Sequence, residues 1–180
     1  MVSTKHTLVA LVEDNPGVLN RMVSLFRRRG FNIASIAVGS SELAGFSRIT
    51  FVVDGSVTNV EQVRKQLLAK VVEVVKVSDI TAEDIVVREL ALIKVKALAD
   101  DRSEIIQIVD IFKAEIIDVC QDSVTIEITG TEDKIDSLLD LLRPFGLREV
   151  ARTGRIAMVR GSTRSDEEMS SRSDDELDLD

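Results

Sequence analysis

A strand–helix–strand–strand–helix–strand pattern occurs twice in succession along these 180 residues, and few folds accommodate such a repeat. In the first copy Thr7 to Val12 is a short apolar run with β-branched residues, suited to a strand buried on both faces. It stops at Glu13-Asp14-Asn15-Pro16-Gly17. Asn15 is placed there to cap a helix, and Pro16 to occupy its first position, where the missing N–H costs nothing. Val18, Met22, Leu25 and Phe26 follow at helical spacing, with Leu19 and Val23 widening the apolar stripe. Arg27-Arg28-Arg29-Gly30 closes the helix, with cations at the negative end of its dipole and a glycine just beyond. Phe31 to Val38 reads as a returning strand, and Gly39 to Gly45 as a loop. Phe46 to Val53 reads as a third strand, with Ile49, Phe51 and Val53 alternating against Arg48 and Thr50. Thr58 or Asn59, with Glu61 or Gln62 at the matching capping-box position, predicts a second helix with Val60, Val63 and Leu67 inward. Val71 to Val77 completes the copy as a fourth strand.

The second copy follows a polar stretch, Asp79 to Ile85. Ile93, Val95 and Ala97 alternate with Lys94 and Lys96, as in a strand with one wet face. Asp101 and Glu104 are spaced as a capping box, and Ile105, Ile108, Val109 and Phe112 form a helical stripe. Glu115 to Cys120 and Ser123 to Thr129 are strands. Ile135, Leu138, Leu139 and Leu142 stripe a helix ended by Pro144. Leu147 to Ala151 closes the repeat, with Ile156 to Val159 as an addition. The predicted class is α+β: two tandem ferredoxin-like βαββαβ domains at 1–80 and 87–161, a linker at 81–86, and a tail at 162–180.

Charge separates the tail from the body. Of the 31 acids and 23 bases, eight acids and one base fall in Ser165 to Asp180, so that segment carries −7 of the net −8. The remaining body is near neutral, without the strong field that nucleic-acid or membrane binding uses. A serine- and acid-rich tail with Met169, Leu177 and Leu179 as its apolar residues is expected to be disordered. Met1 to His6 has no signal-peptide core, no run approaches the roughly 18 apolar residues of a membrane span, and a single cysteine argues against a disulfide scaffold. A cytoplasmic location is expected.

The residues also narrow the chemistry. An RNA-recognition module needs aromatic platforms on its strands, and this chain has neither Trp nor Tyr. An acylphosphatase-type site needs an arginine in the first strand–helix loop, and Glu13 to Gly17 has none. His6 and Cys120 are the single residues of their kinds, with no second histidine to activate the thiol. No cluster has metal-ligand spacing. The loop suits something else. A helix N-terminus presents unpaired N–H groups to a small anion, Gly17 lets a ligand approach the backbone, and Asp14 and Asn15 offer an anion and an amide close by. Carboxylate at the amides and ammonium at the acid or carbonyls describe a free α-amino acid, although an ordinary turn that binds nothing has the same local chemistry.

Val12-Glu13-Asp14-Asn15-Pro16-Gly17-Val18-Leu19 and the stretch from Phe26 through Gly30 to Ile33 resemble the amino-acid-sensing ACT domain. With Lys65-Gln66-Leu67, Arg88 to Val95 and Ile116 to Val119, the likeness narrows to the small regulatory subunits of acetohydroxyacid (acetolactate) synthase, over about residues 5 to 161. The resemblance implies a partner, the large catalytic subunit, carrying thiamine diphosphate, Mg²⁺ and FAD and condensing two 2-oxoacids. This chain would bind none of these cofactors and have no catalytic site. It would activate the partner and confer feedback inhibition by a branched-chain amino acid, most often valine, bound at an interface between two ACT domains. The effector residues implied are Asp14, Asn15, Pro16, Gly17, Val18, Leu19 and Asn20 in the loop, with Asn32, Ile33 and Gly39 on and after the second strand. Asp14 departs from the asparagine of some members, which bears on effector preference. Asp100-Asp101-Arg102-Ser103 in the second copy lacks the glycine, so the first domain is expected to hold the effector.

Ile33-Ala34-Ser35-Ile36-Ala37-Val38 is uncharged and lies on a predicted sheet edge, so pairing with a second copy is expected. The alternative reading is a stand-alone ACT module that regulates a different enzyme or transcription.

Overall fold

The computed structural model describes residues 5–30, 32–54 and 60–161. Phe31, the expected caps Thr58 and Asn59, and the acidic tail at 162–180 lie outside them. The first unit runs β1 (Lys5–Glu13), α1 (Val18–Arg29), β2 (Ile33–Ser40), β3 (Phe46–Asp54), α2 (Val60–Lys70) and β4 (Val74–Asp79). Its antiparallel sheet has the order β2-β3-β1-β4. Leu8, Ala10 and Val12 of β1 and Ile49, Phe51 and Val53 of β3 face the helices, whose Val18, Met22, Leu25, Phe26, Val63 and Leu67 close the core. Alternation along the strands thus meets the helical stripes face to face. Each fully buried Leu, Ile or Phe there contributes about 1.5–3 kcal/mol. The Phe26 and Phe51 rings meet edge to face, with centroids 5.5 Å apart.

Three local expectations are corrected. Helix α1 starts at Val18, not at Pro16, and its N-cap is Gly17 rather than Asn15. Leu19 and Val23 do not widen the buried stripe: they are 44% and 45% exposed. Val71 and Val72 belong to a turn rather than to a strand. The N–H of Val71 reaches the Leu67 carbonyl at 3.1 Å and that of Val74 the Val71 carbonyl at 3.0 Å, so Val71 plugs the core at the helix end while Val72 faces solvent.

The second unit repeats the plan with β5 (Ile85–Lys96), α3 (Arg102–Ile111), β6 (Glu115–Val119), β7 (Ser123–Gly130), α4 (Glu132–Leu142), β8 (Leu147–Arg152) and β9 (Ile156–Val159). Its order is β6-β7-β5-β8, and β9 also pairs with β5. Ile93, Val95, Val124, Ile126 and Ile128 pack on Ile105, Val109, Ile135, Leu138 and Leu142. β5 begins at Ile85, inside the stretch read as a linker, because Ile85 to Arg88 pair with Ile156 to Val159. Asp101 precedes α3 without a side-chain cap, so the expected capping box does not form. Thr131 caps α4 instead, accepting from the Lys134 N–H at 3.4 Å.

The extra strand joins the halves. Ala157 of β9 packs with Val9 of β1 and Ile80 of the connection, with Ile85, Val87 and Val159 around them. Arg48 of β3 donates through Nη2 to the Ala157 carbonyl at 3.1 Å. The connection itself is pinned: the Thr7 N–H donates to Thr81 Oγ1 at 2.9 Å, and the Ile80 N–H to the Thr7 carbonyl at 3.0 Å. No helix among the described residues is long and apolar enough to cross a membrane.

Candidate functional site

Gly17 has φ +87°, in the left-handed region that glycine enters without a steric cost. That one torsion turns the chain from β1 into α1. It also puts the turn's polar side chains outside the helix: Asn15 Nδ2 donates to Glu13 Oε2 at 2.8 Å and caps nothing. Helix α1 therefore has no side-chain cap and no acid in its first turn. Val18 is anchored in the core at 5% exposure, while Asp14, Asn15, Pro16, Gly17, Leu19 and Asn20 are exposed. The arrangement suits a small anion on the helix N-terminus with an aliphatic neighbour in Leu19.

The loop is held from below. The Asp14 N–H donates to the Gly45 carbonyl at 2.8 Å and the Glu13 N–H to the Glu73 carbonyl at 2.9 Å. Arg21 reaches Glu73 from the first turn of α1, its Nε 3.2 Å from Oε2 and its Nη2 on Oε1. Arg21 and Glu73 were not singled out from sequence. Arg21 sits four residues after Gly17, on the same side of the helix, and its Nη1 lies 3.6 Å from where a Cβ on Gly17 would be. Glu73 had no local signal, since its partner is 52 residues away.

The expected site residues do not all come together within one chain. Gly39 pairs with Arg48 and Ser40 with Ser47, at the end of the sheet where Val12 also meets Ser47 and the loop begins. Ile33 pairs with Val53 at the opposite end, where Val53 meets His6. Asn32 and Ile33 thus stand roughly 23 Å along β2 from the loop, at the usual rise per strand residue.

The matching corner of the second unit is filled. Arg102 Nη2 donates to the carbonyls of Cys120 at 2.8 Å, Gln121 at 2.9 Å and Ala97 at 3.2 Å, tying the start of α3 to the β6–β7 turn. Among the described residues no group of three or more His, Cys, Asp or Glu is placed to hold a metal ion.

Two consecutive ferredoxin-like units, the first with an open, glycine-led helix start, have the architecture of an ACT domain followed by an ACT-like one. Residues 8–76 match the family model described as an AHAS small subunit-like ACT domain, and residues 88–161 the one described as the small subunit of acetolactate synthase. The chain belongs to the family of acetolactate synthase small subunits. It is similar to the acetolactate synthase small subunit of Mycobacterium bovis, 50% identical over 156 residues that make up 87% of this chain and 92% of that one. The small subunit of Bacillus subtilis is 48% identical over 159 residues, 88% of this chain and 92% of its own. Among solved structures, the acetolactate synthase small subunit of Thermotoga maritima superposes with a TM-score of 0.81 at 44% identity, covering 89% of this chain and 99% of that one.

Proposed function

We propose that this chain is a regulatory subunit of acetolactate synthase in branched-chain amino-acid biosynthesis. It docks on the catalytic subunit, raises its activity and makes it sensitive to a branched-chain amino acid, valine first. The condensation of 2-oxoacids, with thiamine diphosphate, Mg²⁺ and FAD, belongs to that partner, and both act in the cytoplasm. In this reading the effector's carboxylate rests on the N–H groups that open α1, its ammonium faces the acids and carbonyls of the loop, and its side chain lies against Leu19.

The observation that supports the reading is the placement of the implied residues at the two ends of β2. β2 is an edge strand, the kind of strand that pairs with another chain. A two-fold axis through Ile36 and Ala37 sets Ile33 of a second copy opposite Ser40 of the first. Asn32 and Ile33 of one copy then stand beside Gly39 and the loop of the other, and the parts form two complete sites per dimer. Match over nearly the full length of relatives named as small subunits favours this over a stand-alone module.

Titration calorimetry of the chain with valine, leucine and isoleucine tests the reading. Saturable heat with at least one of the three, and tightest with valine, is expected. Differences among them will be modest, since one methylene is worth about 1–3 kcal/mol in an apolar pocket. No heat with any of the three would remove the effector reading.

A further inference from the structure

Between β8 and β9 the chain makes a short reach back to the first domain. Gly154 has φ +82°, and a Cβ built there would lie 2.8 Å from Ser35 Oγ and 3.0 Å from the Ile36 carbonyl oxygen. The turn therefore rests backbone to backbone on β2. Arg155 follows and joins three elements. Its backbone N–H donates to Ser35 Oγ of β2 at 3.0 Å, its Nη1 to Thr7 Oγ1 of β1 at 3.4 Å, and its Nη2 to Glu132 Oε2 at 2.6 Å. Glu132 is the first residue of α4, and its other oxygen accepts from Lys5 Nζ of β1 at 2.9 Å. Three residues before Arg155, Arg152 donates through Nη1 to Asp136 Oδ1, one turn further along α4, at 2.7 Å.

These charges are paired, so they do not make a binding site. They do make a mechanical connection. A crevice of about 390 Å³, lined by Lys5, Ser35, Glu132, Arg152 and Arg155 among others, runs between the two halves at this point. The connection thus borders open space, beside the packed cluster of Val9, Ile80 and Ala157. β2 is irregular where it is gripped: its register with β3 slips between Ile33 and Ser35, so the ladder is locally interrupted there. Ile33, which opens β2, and Asn32 just before it are also the residues placed against the effector in the proposed dimer.

We propose that Arg155, seated by Ser35 and Gly154, is the relay that carries a displacement of β2 to the N-terminus of α4. An effector held against β2 thereby alters the second domain through this arginine. The inference rests on the effector reading above and adds the route from that site to the rest of the subunit. Arg155 is a positioning residue: it touches β2 and Glu132, not the effector. A ligand shifts such an element only if it interacts differently with the two positions of β2, and coupling of this kind requires a physical link that both sites bias.

Hydrogen–deuterium exchange on the full chain, with and without saturating valine, tests the relay. In the wild type, valine should change protection in residues 13–20 and in β2, and also in the first turn of α4, Glu132 to Asp136. In Arg155→Gln the first-domain response should persist while the change in α4 falls by more than half. Arg155→Lys, which can still pair with Glu132, should restore part of it. Glu132→Gln lies at a partly exposed helix start, and it carries the test if Arg155→Gln does not fold. A wild-type response confined to the first domain, or a variant whose α4 response equals that of the wild type, overturns the relay and leaves the effector reading standing. A wild type that responds nowhere overturns the effector reading and the relay with it.

Discussion

Arg152 holds Glu89 in a two-pronged ion pair, Nε to Oε1 at 2.9 Å and Nη2 to Oε2 at 2.7 Å, although the Glu89 side chain is only 9% exposed. The hydrogen bonds that Arg152 donates to Glu89 hold the guanidinium well above its ordinary pKa against the opposing effect of burial, so the arginine stays charged. Arg152→Met should be the costly change, because it leaves a buried carboxylate without its counter-ion. Losing one partner of a fully buried pair costs about 3–5 kcal/mol, and the 29% exposure of Arg152 lowers the expectation to about 2–3 kcal/mol. Urea unfolding measures it. A loss below about 0.5 kcal/mol would show that water replaces the arginine freely.

Gly17→Ala should destabilise the first domain by about 1–2 kcal/mol, the cost of a left-handed torsion for a residue with a Cβ. Space is not the limit, since the nearest atom to the new Cβ would be Arg21 Nη1 at 3.6 Å. Gly17→Asn should cost less, because asparagine tolerates this region better. Thermal unfolding of the two variants checks the order. The same torsion makes Gly17→Asp a poor probe of the effector site: an acid suits a helix start, but loss of binding there would mix backbone strain with charge.

Val38 is 51% exposed on an uncharged edge strand. Val38→Lys should leave the fold within about 0.5 kcal/mol of the wild type, as surface changes usually do. It should nevertheless shift the chain toward the monomer at micromolar concentration, because a lysine on an edge opposes strand pairing. Light scattering reads the result directly. A wild type that is monomeric under the same conditions would remove the shared-site geometry.

Glu132 has its carboxyl held below the usual glutamate range, first by the hydrogen bond from Lys5, against burial, and then by the charge of Lys5 and the pairing with Arg155. A lowered folded-state pKa contributes stability above the unfolded value, and that contribution is lost as pH falls through the lowered one. The difference in melting temperature between wild type and Glu132→Gln should therefore be full near neutrality and shrink as pH drops below the ordinary glutamate value of 4.5. A difference that is constant down to strong acid would mean the ion pairs add nothing at this position.

The βαββαβ repeat was legible because burial writes itself into local spacing. Ile49, Phe51 and Val53 alternate as a strand must, and Val18, Met22, Leu25 and Phe26 recur as a helix must. The start of α1 was misplaced because Asn15 and Pro16 both favour a helix beginning, and nothing local announces that Gly17 takes φ +87° instead. Valines at 71 and 72 look like strand, yet they turn the chain out of α2. The first third of β5 was hidden because its partner β9 lies some 70 residues downstream. The loop half of the proposed site rests on residue chemistry and resemblance. Its support was not legible, since Arg21–Glu73 is a pair between distant segments that leaves no mark in either one, and the same holds for the Arg155–Glu132 pair that ties the second unit to the first.

The sharing of the effector site between two copies is tested most directly by complementation. Leu19→Lys damages the loop half and Asn32→Lys the β2 half, both at exposed positions. Each variant alone should show no valine heat in a titration calorimeter. Refolded together in equal amounts, half of the dimers pair one variant with the other, and each such dimer carries one site with both halves intact. The mixture should recover about a quarter of the wild-type binding capacity at wild-type affinity. A mixture as silent as its components would contradict the account and place the whole site within a single chain.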